Sequence, residues 1–255
     1  MIESTQNEKI KNLTRLLTKN SDRKKEGVFI VEGKQENERA IQFGFEPVEF
    51  FICESIFKDQ LPEAKINFVS EKIYLKIAYR GTSEGIIGIY KTKENKLLHY
   101  QPKDNASIII VESVEKPGNL GAILRSCEAF GIDALIVTDA KVDFYNPNVI
   151  RSSVGCLFGM NVFQTSNEEL YHFLKENGFS IYTTIMDETS ENINVRDFIS
   201  KSAVLFGTEH SGLSDFWKGK GQNTLIPMNG TIDSLNLSNA VAITCYEILR
   251  QKLGN

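Results

Sequence analysis

From Ala106 to the end of the chain, short apolar runs and helical stretches take turns, and this alternation limits the fold more than any other feature. Runs near 107–112, 133–138, 161–164, 179–185, 203–206 and 224–228 carry Ile, Val, Leu or Phe and are too short for buried helices, so they read as strands. Helical stretches separate most of them. Joining parallel strands needs such crossovers, and the pattern predicts an α/β domain: a mostly parallel sheet with helices on both faces. Ligands of sheets like this bind outside the carboxyl ends of the strands. The loops that follow the strands are therefore where chemistry is to be sought.

The segment before Ala106 has a different rhythm. Ile10, Leu13, Leu16 and Leu17 fall at helical spacing, so residues 7–19 form an amphipathic helix. NSDRKKEG reads as a turn, VFIVEG as a buried strand, and a helix runs on to about Phe43. Strands at Val48–Cys53, Ile66–Val69 and Gly85–Tyr90 surround a helix near residues 70–78. KTKENKLLHYQPKDN is polar with little periodicity and reads as a linker. The expected organisation is a small α/β domain at 1–95, a linker at 96–105, and a larger α/β domain at 106–255.

Composition decides between broad classes. With 41% hydrophobic and 24% charged residues the chain can bury a real core. No apolar run reaches the ~18 residues of a membrane span, and MIESTQNEKIKN is not an apolar signal region, so a cytoplasmic protein is expected. The four cysteines lack CxxC spacing and neighbouring His, which predicts reduced thiols and no metal site. A net charge of −4 argues against a uniformly basic nucleic-acid binder. Its distribution is uneven: residues 1–25 hold seven cations against three anions, a local +4, and the remainder carries −8. Arg23, Lys24 and Lys25 in this cluster are candidates for a phosphate backbone, with a solvated helix face as the alternative.

Three loops carry candidate chemistry. No GxGxxG follows the first strand of the larger domain, and GxxxxGK[ST] is absent, so neither a standard dinucleotide site nor a P-loop is expected. Instead PGNLGAILR places Asn119, Gly121 and Arg125 at a helix start, an arrangement suited to an anion. Asn146-Pro147 is a helix-start pair with Arg151 just inside, open to a phosphate contact or to an ion pair with an Asp. GTEHSGLS carries Glu209 and His210, open to acid–base work or to plain solvent exposure. Finally LIPMNGTIDSLNLS reads as a strand at Leu225–Met228, then a loop with Ser234 and Asn236 before a helix, where capping by Asn236 or Ser238 competes with a ligand role.

NLGAILR, LFGTEHSGL and IPMNGTIDSLNLS, complete and in this order, closely resemble the three motifs of the SpoU family of RNA ribose 2′-O-methyltransferases, of the knotted SPOUT class. Leu237 stands where Val is more usual, an apolar exchange. The resemblance covers the chain from about Ser107. GVFIVEGKQENERAIQFGF looks, more loosely, like the family's RNA substrate-binding domain, whose fold is related to a ribosomal protein.

The resemblance implies a C-terminal trefoil knot, a rare exception to unthreaded chains, and a homodimer formed through the C-terminal domain. It implies S-adenosylmethionine as cofactor, held by Thr184, Gly207, Ile226, Met228 and Leu235. It assigns the functional side chains to Asn119, Arg125, Glu209, Ser234 and Asn236, and leaves capping to Ser238. A guanidinium is a poor base, so Arg125 is either made unusually acidic by its setting or holds a phosphate and stabilises the developing alkoxide. The implied substrate is structured RNA. The N-terminal domain and the short stretch after the third motif favour rRNA over tRNA. A non-catalytic RNA-binding member of the fold, and an α/β enzyme acting on a small phosphorylated substrate, are the competing readings.

Overall fold

A computed structural model describes residues 1–79, 84–208, 211–232 and 234–254. The chain opens with α1 (Glu8–Thr18), α2 (Asn20–Glu26), β1 (Val28–Glu32), α3 (Lys34–Gln42), β2 (Pro47–Ile52), β3 (Lys65–Phe68), α4 (Glu71–Ile77) and β4 (Ile86–Lys91). It continues with β5 (Ser107–Glu112), α5 (Pro117–Ala129), β6 (Ala134–Thr138), α6 (Pro147–Ser152), β7 (Asn161–Thr165), α7 (Asn167–Glu176) and β8 (Ser180–Thr183). The last elements are β9 (Glu191–Asn192), β10 (Ser202–Phe206), β11 (Gln222–Leu225) and α8 (Leu237–Leu253). Two compact units result: Met1–Glu94 with Asp143–Gly159, and Asn95–Val142 with Met160–Asn255. The segment Asp143–Gly159 thus packs with the first unit although it lies inside the range expected of the larger domain. Among the described residues no helix is long and apolar enough to cross a membrane.

The first unit is a mixed four-stranded sheet in the order β1-β4-β2-β3, with β2 and β3 parallel and the rest antiparallel. One face buries Ile30, Phe51, Ile87 and Ile89 beneath Ile10, Leu13 and Leu16 of α1 and Ile73, Tyr74 and Ile77 of α4, as the spacing of those apolar residues requires. NSDRKKEG is not a turn. Asn20–Glu26 is helical and stops at Gly27, which takes the left-handed conformation at φ 63° that glycine adopts without strain. The helix forms without an apolar stripe because Arg23 supplies its buried contact.

In the second unit seven strands lie in the order β7-β6-β5-β10-β8-β11-β9, and every pairing is parallel. Ile108, Ile110, Ala134, Ile136, Ala203 and Leu205 form one buried face, with Leu170 and Leu174 of α7 and the fully buried Trp217. By alternation Ile109, Val111, Leu135, Val137, Val204 and Phe206 point the other way, and they too are buried. Helices α5 and α8 pack against each other. The linker is partly structural: Leu97 joins the core of this unit and Tyr100 packs on it. The expected strand at Leu225–Met228 is displaced, since the ladder ends at Leu225 and Ile226 and Met228 belong to the following loop.

Candidate functional site

Strands β10, β8 and β11 are neighbours, and their carboxyl ends carry three loops. Leu205 is in register with Thr183, and Thr183 with Asn223. Beyond the β8–β10 ladder, Thr184 donates both its backbone N–H and its hydroxyl to the carbonyl of Leu205, at 3.1 and 2.8 Å. The Thr183 hydroxyl donates to Asn223 Oδ1 at 2.8 Å. Asn223 Nδ2 in turn donates to Asp187 Oδ2 at 2.7 Å and to Thr189 Oγ1 at 3.1 Å, which fastens the turn after β8 to β11. The Thr189 hydroxyl, and then its backbone N–H, hold the Asp187 carboxyl below the ordinary carboxylate range.

A guanidinium clamps the other side of β11. Arg196 donates to Thr224 Oγ1 at 3.0 Å and to Gln222 Oε1 at 2.9 Å, and pairs with Glu191. The loop after β10 is closed by mutual bonds of 3.1 Å between Thr208 and Gly212. Gly207 fits under that closure only as glycine: a Cβ there would meet the Gly212 carbonyl carbon at 1.9 Å.

These loops surround a cavity of about 340 Å³. Thr184, Gly207, Ile226, Met228 and Leu235, the five positions singled out for the cofactor, all line it, and so does Ser234. The loop after Thr184 contributes Met186 to the same wall, and sequence reasoning missed Phe206, Thr208, Gly212, Thr224, Leu225, Leu237 and Ala240 there. Their signal was positional, because each lies within a few residues of a strand end or helix start. None of the lining side chains titrates. The lining carries no charged side chain and is mainly apolar, which suits burial of an aromatic ring and an aliphatic chain; its size falls within the usual range for ligand pockets.

A smaller cavity of about 140 Å³ adjoins it, sharing Thr208 and Leu237 and lined also by Ser113, Glu115, Lys116, Asn119 and Ser211. Asn119 lies in the first turn of α5, which begins with Pro117. Asn236 Nδ2 donates to Asn119 Oδ1 at 3.4 Å. Asn236 is also the N-cap of α8, accepting from the backbone N–H of Ser238 at 3.0 Å and from its hydroxyl at 2.7 Å. The cap is therefore Asn236 and not Ser238. The larger cavity and this amide pair are brought together within one unit.

The other candidates lie elsewhere. Arg125 is exposed on α5, and six residues beyond Asn119 it sits about 9 Å further along the helix and turned by about 120°, so it lines neither cavity. Glu209 and His210 lie outside the described residues. Arg23 is not a surface cation: it is 3% exposed, donates Nη1 to the Leu16 carbonyl at 2.8 Å and pairs with Asp143 at 3.7 Å. Burial pushes its pKa down, opposed by Asp143. Of that cluster Lys24 and Lys25 are exposed. Arg151 is half-buried, donating to Asn148 Oδ1 at 3.1 Å with its guanidinium 3.9 Å from the centre of the Tyr79 ring. All four cysteines are free and buried, and among the described residues no group of three or more His, Cys, Asp or Glu could hold a metal.

The SpoU rRNA Methylase family model matches residues 106–246, and an MRM3-like substrate binding domain matches residues 7–88. The 23S rRNA (guanosine(2553)-2′-O)-methyltransferase of Bacillus subtilis is 26% identical over 250 residues, covering 97% of this chain and 98% of that protein. The tRNA (guanosine(18)-2′-O)-methyltransferase of Thermus thermophilus is 34% identical over 148 residues, covering 57% of this chain and 75% of that protein. A crystal structure of an RNA 2′-O ribose methyltransferase superimposes with a TM-score of 0.87 at 34% identity, covering 99% of each chain. The methyltransferase AviRb of Streptomyces viridochromogenes, crystallised with AdoMet, shares the fold with a TM-score of 0.88 at 22% identity, covering 98% of this chain and 100% of that one.

Proposed function

The chain belongs to the SpoU rRNA methylase family, and on that premise we propose that it transfers a methyl group from S-adenosylmethionine to a ribose 2′-hydroxyl of structured RNA, with rRNA the favoured substrate. One observation carries the reading: three loops at the carboxyl ends of adjacent parallel strands enclose a neutral apolar cavity that abuts the Asn119–Asn236 amide pair. The preference for rRNA is supported by the near full-length match to an rRNA enzyme, where the tRNA enzyme matches little more than half of the chain.

In this reading Thr184, Gly207, Ile226, Met228 and Leu235 hold the methyl donor. S-adenosylmethionine would supply an electrophilic methyl group, and the neutral wall would hold it without engaging it chemically. Asn119, Ser234 and Asn236 orient the ribose. Arg125, exposed on α5 and outside both cavities, would hold the phosphate next to the target and from there stabilise the alkoxide as the 2′-hydroxyl gives its proton to solvent water. Glu209, outside the described residues, is assigned a supporting role at the site or the dimer interface and not proton abstraction.

The first unit presents Lys24 and Lys25 to the RNA backbone, with Arg151 of the same unit as a further contact, and its fold is the ribosomal-protein-like one of the family's substrate-binding domain. The C-terminal part of the chain forms a trefoil knot. Two copies pair through it: Ile243 and Tyr246 on α8 are 42% and 56% exposed, apolar surface that pairing would cover. The protein works in the cytoplasm.

The test is Arg125→Ala. Transfer of labelled methyl groups to rRNA is expected to fall by at least 10²-fold, the scale of losing one transition-state contact, while calorimetric binding of S-adenosylmethionine is unchanged. Full activity in that variant would remove Arg125 from the mechanism. Failure of the wild-type protein to bind the cofactor would leave a non-catalytic RNA-binding protein.

A further inference from the structure

The reading above makes no use of Glu112, the last residue of β5, although its carboxylate is among the most elaborately bonded groups of the second unit. Glu112 is 4% exposed. Its Oε1 accepts from Asn167 Nδ2 at 2.5 Å and from the Ser214 hydroxyl at 2.7 Å, and its Oε2 accepts from the Ser214 backbone N–H at 2.7 Å. Asn167 is itself held by Trp217, whose Nε1 donates to Asn167 Oδ1 at 3.3 Å. A buried carboxylate is costly unless its lone pairs are used, and here three donors use them.

What the carboxylate fastens is the far end of the second-motif stretch. Val111 is in register with Phe206 at the end of β10, so the ladder fixes the residue before Gly207. Glu112, the next residue of the same strand, fixes Ser214. Between these two anchors lie Gly207, Thr208 and Gly212, which line the larger cavity. Resting on the cofactor reading of that cavity, we infer that Glu112 is a positioning residue: by holding Ser214 it sets the wall that Gly207, Thr208 and Gly212 present to S-adenosylmethionine. A carboxylate fits because it only accepts. Glutamine at this position would turn an amide N–H₂ towards a donor, and the fixed backbone N–H of Ser214 cannot rotate away as the hydroxyl can.

The experiment measures S-adenosylmethionine binding by calorimetry, the KM for RNA and the thermal midpoint for the wild type, Glu112→Gln, Ser214→Ala and Ser202→Ala. Ser202 is a control for stability alone: its hydroxyl meets that of Ser107 at 3.1 Å, buried at the opposite end of the same two strands. Glu112→Gln is expected to weaken cofactor binding about tenfold, or about 1.4 kcal/mol, with the KM for RNA within about twofold of wild type. Ser214→Ala, which keeps the backbone bond, is expected to weaken binding about threefold, and Ser202→Ala to leave it unchanged whatever its midpoint. Wild-type cofactor affinity in a folded Glu112→Gln protein would overturn the inference. If Glu112→Gln does not fold, Ser214→Ala decides: weaker binding than in Ser202→Ala supports the inference, and equal binding overturns it. A wild-type protein that binds no S-adenosylmethionine refutes the cofactor reading itself, which the variants cannot do.

Discussion

Both units bury polar side chains, and they put them to different uses. In the first unit these groups tie helices and strands together across short distances. Asn37 donates to the carbonyls of Gly33 and Val31 at 2.6 and 3.2 Å and accepts from the Tyr90 hydroxyl at 2.9 Å. Asn67 joins β3 to β2 through Glu49 Oε2 at 2.8 Å and the Phe50 carbonyl at 3.2 Å. Around them Phe29 stacks on Tyr145 with ring centres 4.5 Å apart and meets Phe45 edge-on at 5.5 Å, filling space. In the second unit the buried Thr183 instead braces β11 through Asn223, Thr224 takes the Arg196 clamp, and Glu112 holds Ser214 at the end of the loop whose Gly207, Thr208 and Gly212 line the larger cavity. Hydrogen bonds that close a core make a platform. Hydrogen bonds that brace loops against strand ends preserve an opening.

The largest effect should therefore come from forcing a side chain into the braced loops. In Gly207→Ala the new Cβ would lie 1.9 Å from the Gly212 carbonyl carbon and 2.1 Å from its oxygen, so the closure between Thr208 and Gly212 must open. Cofactor binding is expected to be lost to calorimetry, with the circular dichroism spectrum retained. Gly230→Ala, on the loop after β11, introduces a Cβ with nothing within 4 Å and should bind normally. Equal behaviour of the two variants would mean that the cavity wall is not braced in the way its geometry indicates.

The sequence made one side of this comparison easier to read than the other. The parallel sheet was legible because its strands are buried on both faces and read as continuous apolar runs between helices. That five positions would share one cavity came from the family resemblance and not from periodicity: Gly207, Ile226, Met228 and Leu235 stand in its motifs and Thr184 outside them. Indeed, periodicity misled at Leu225–Met228: Ile226 and Met228 are apolar because they line a cavity, and from the residues alone that looks like a strand. Helix α2 was illegible, since NSDRKKE has no apolar stripe. Arg23 was counted with its neighbours because charge carries no information about burial. Its partners, the Leu16 carbonyl and Asp143, are brought to it only by folding.

Arg23 provides the next largest effect, and it belongs to the platform alone. Arg23→Ala removes the bond to the Leu16 carbonyl and leaves Asp143, itself mostly buried, without that cation. Loss of a charged hydrogen bond together with a largely buried pair is expected to cost about 2–4 kcal/mol, seen as a lower urea midpoint for a transition followed by tyrosine fluorescence. The affinity of the second unit for S-adenosylmethionine should not change. A variant that lost cofactor affinity in proportion to stability would erase the distinction between platform and cavity.

The smallest effect is expected at Glu36, in the first turn of α3 and 9% exposed. Burial raises its pKa above the ordinary 4.5, with Glu84 and Glu32 adding to the rise and its own backbone N–H and Arg151 opposing it. The folded state therefore holds this proton more tightly than the unfolded chain. Its contribution to stability is fully present below pH 4.5 and is lost as pH rises through the folded-state value. Glutamine has no proton to lose, so Glu36→Gln should match the wild type at pH 4 and exceed it at pH 7, by under about 1 kcal/mol. Urea midpoints of both proteins at the two pH values test this. A gain of the same size at both would mean that the side chain acts through packing and not through its charge. The first unit would then bury its carboxylate without an electrostatic cost, which its few compensating bonds do not allow.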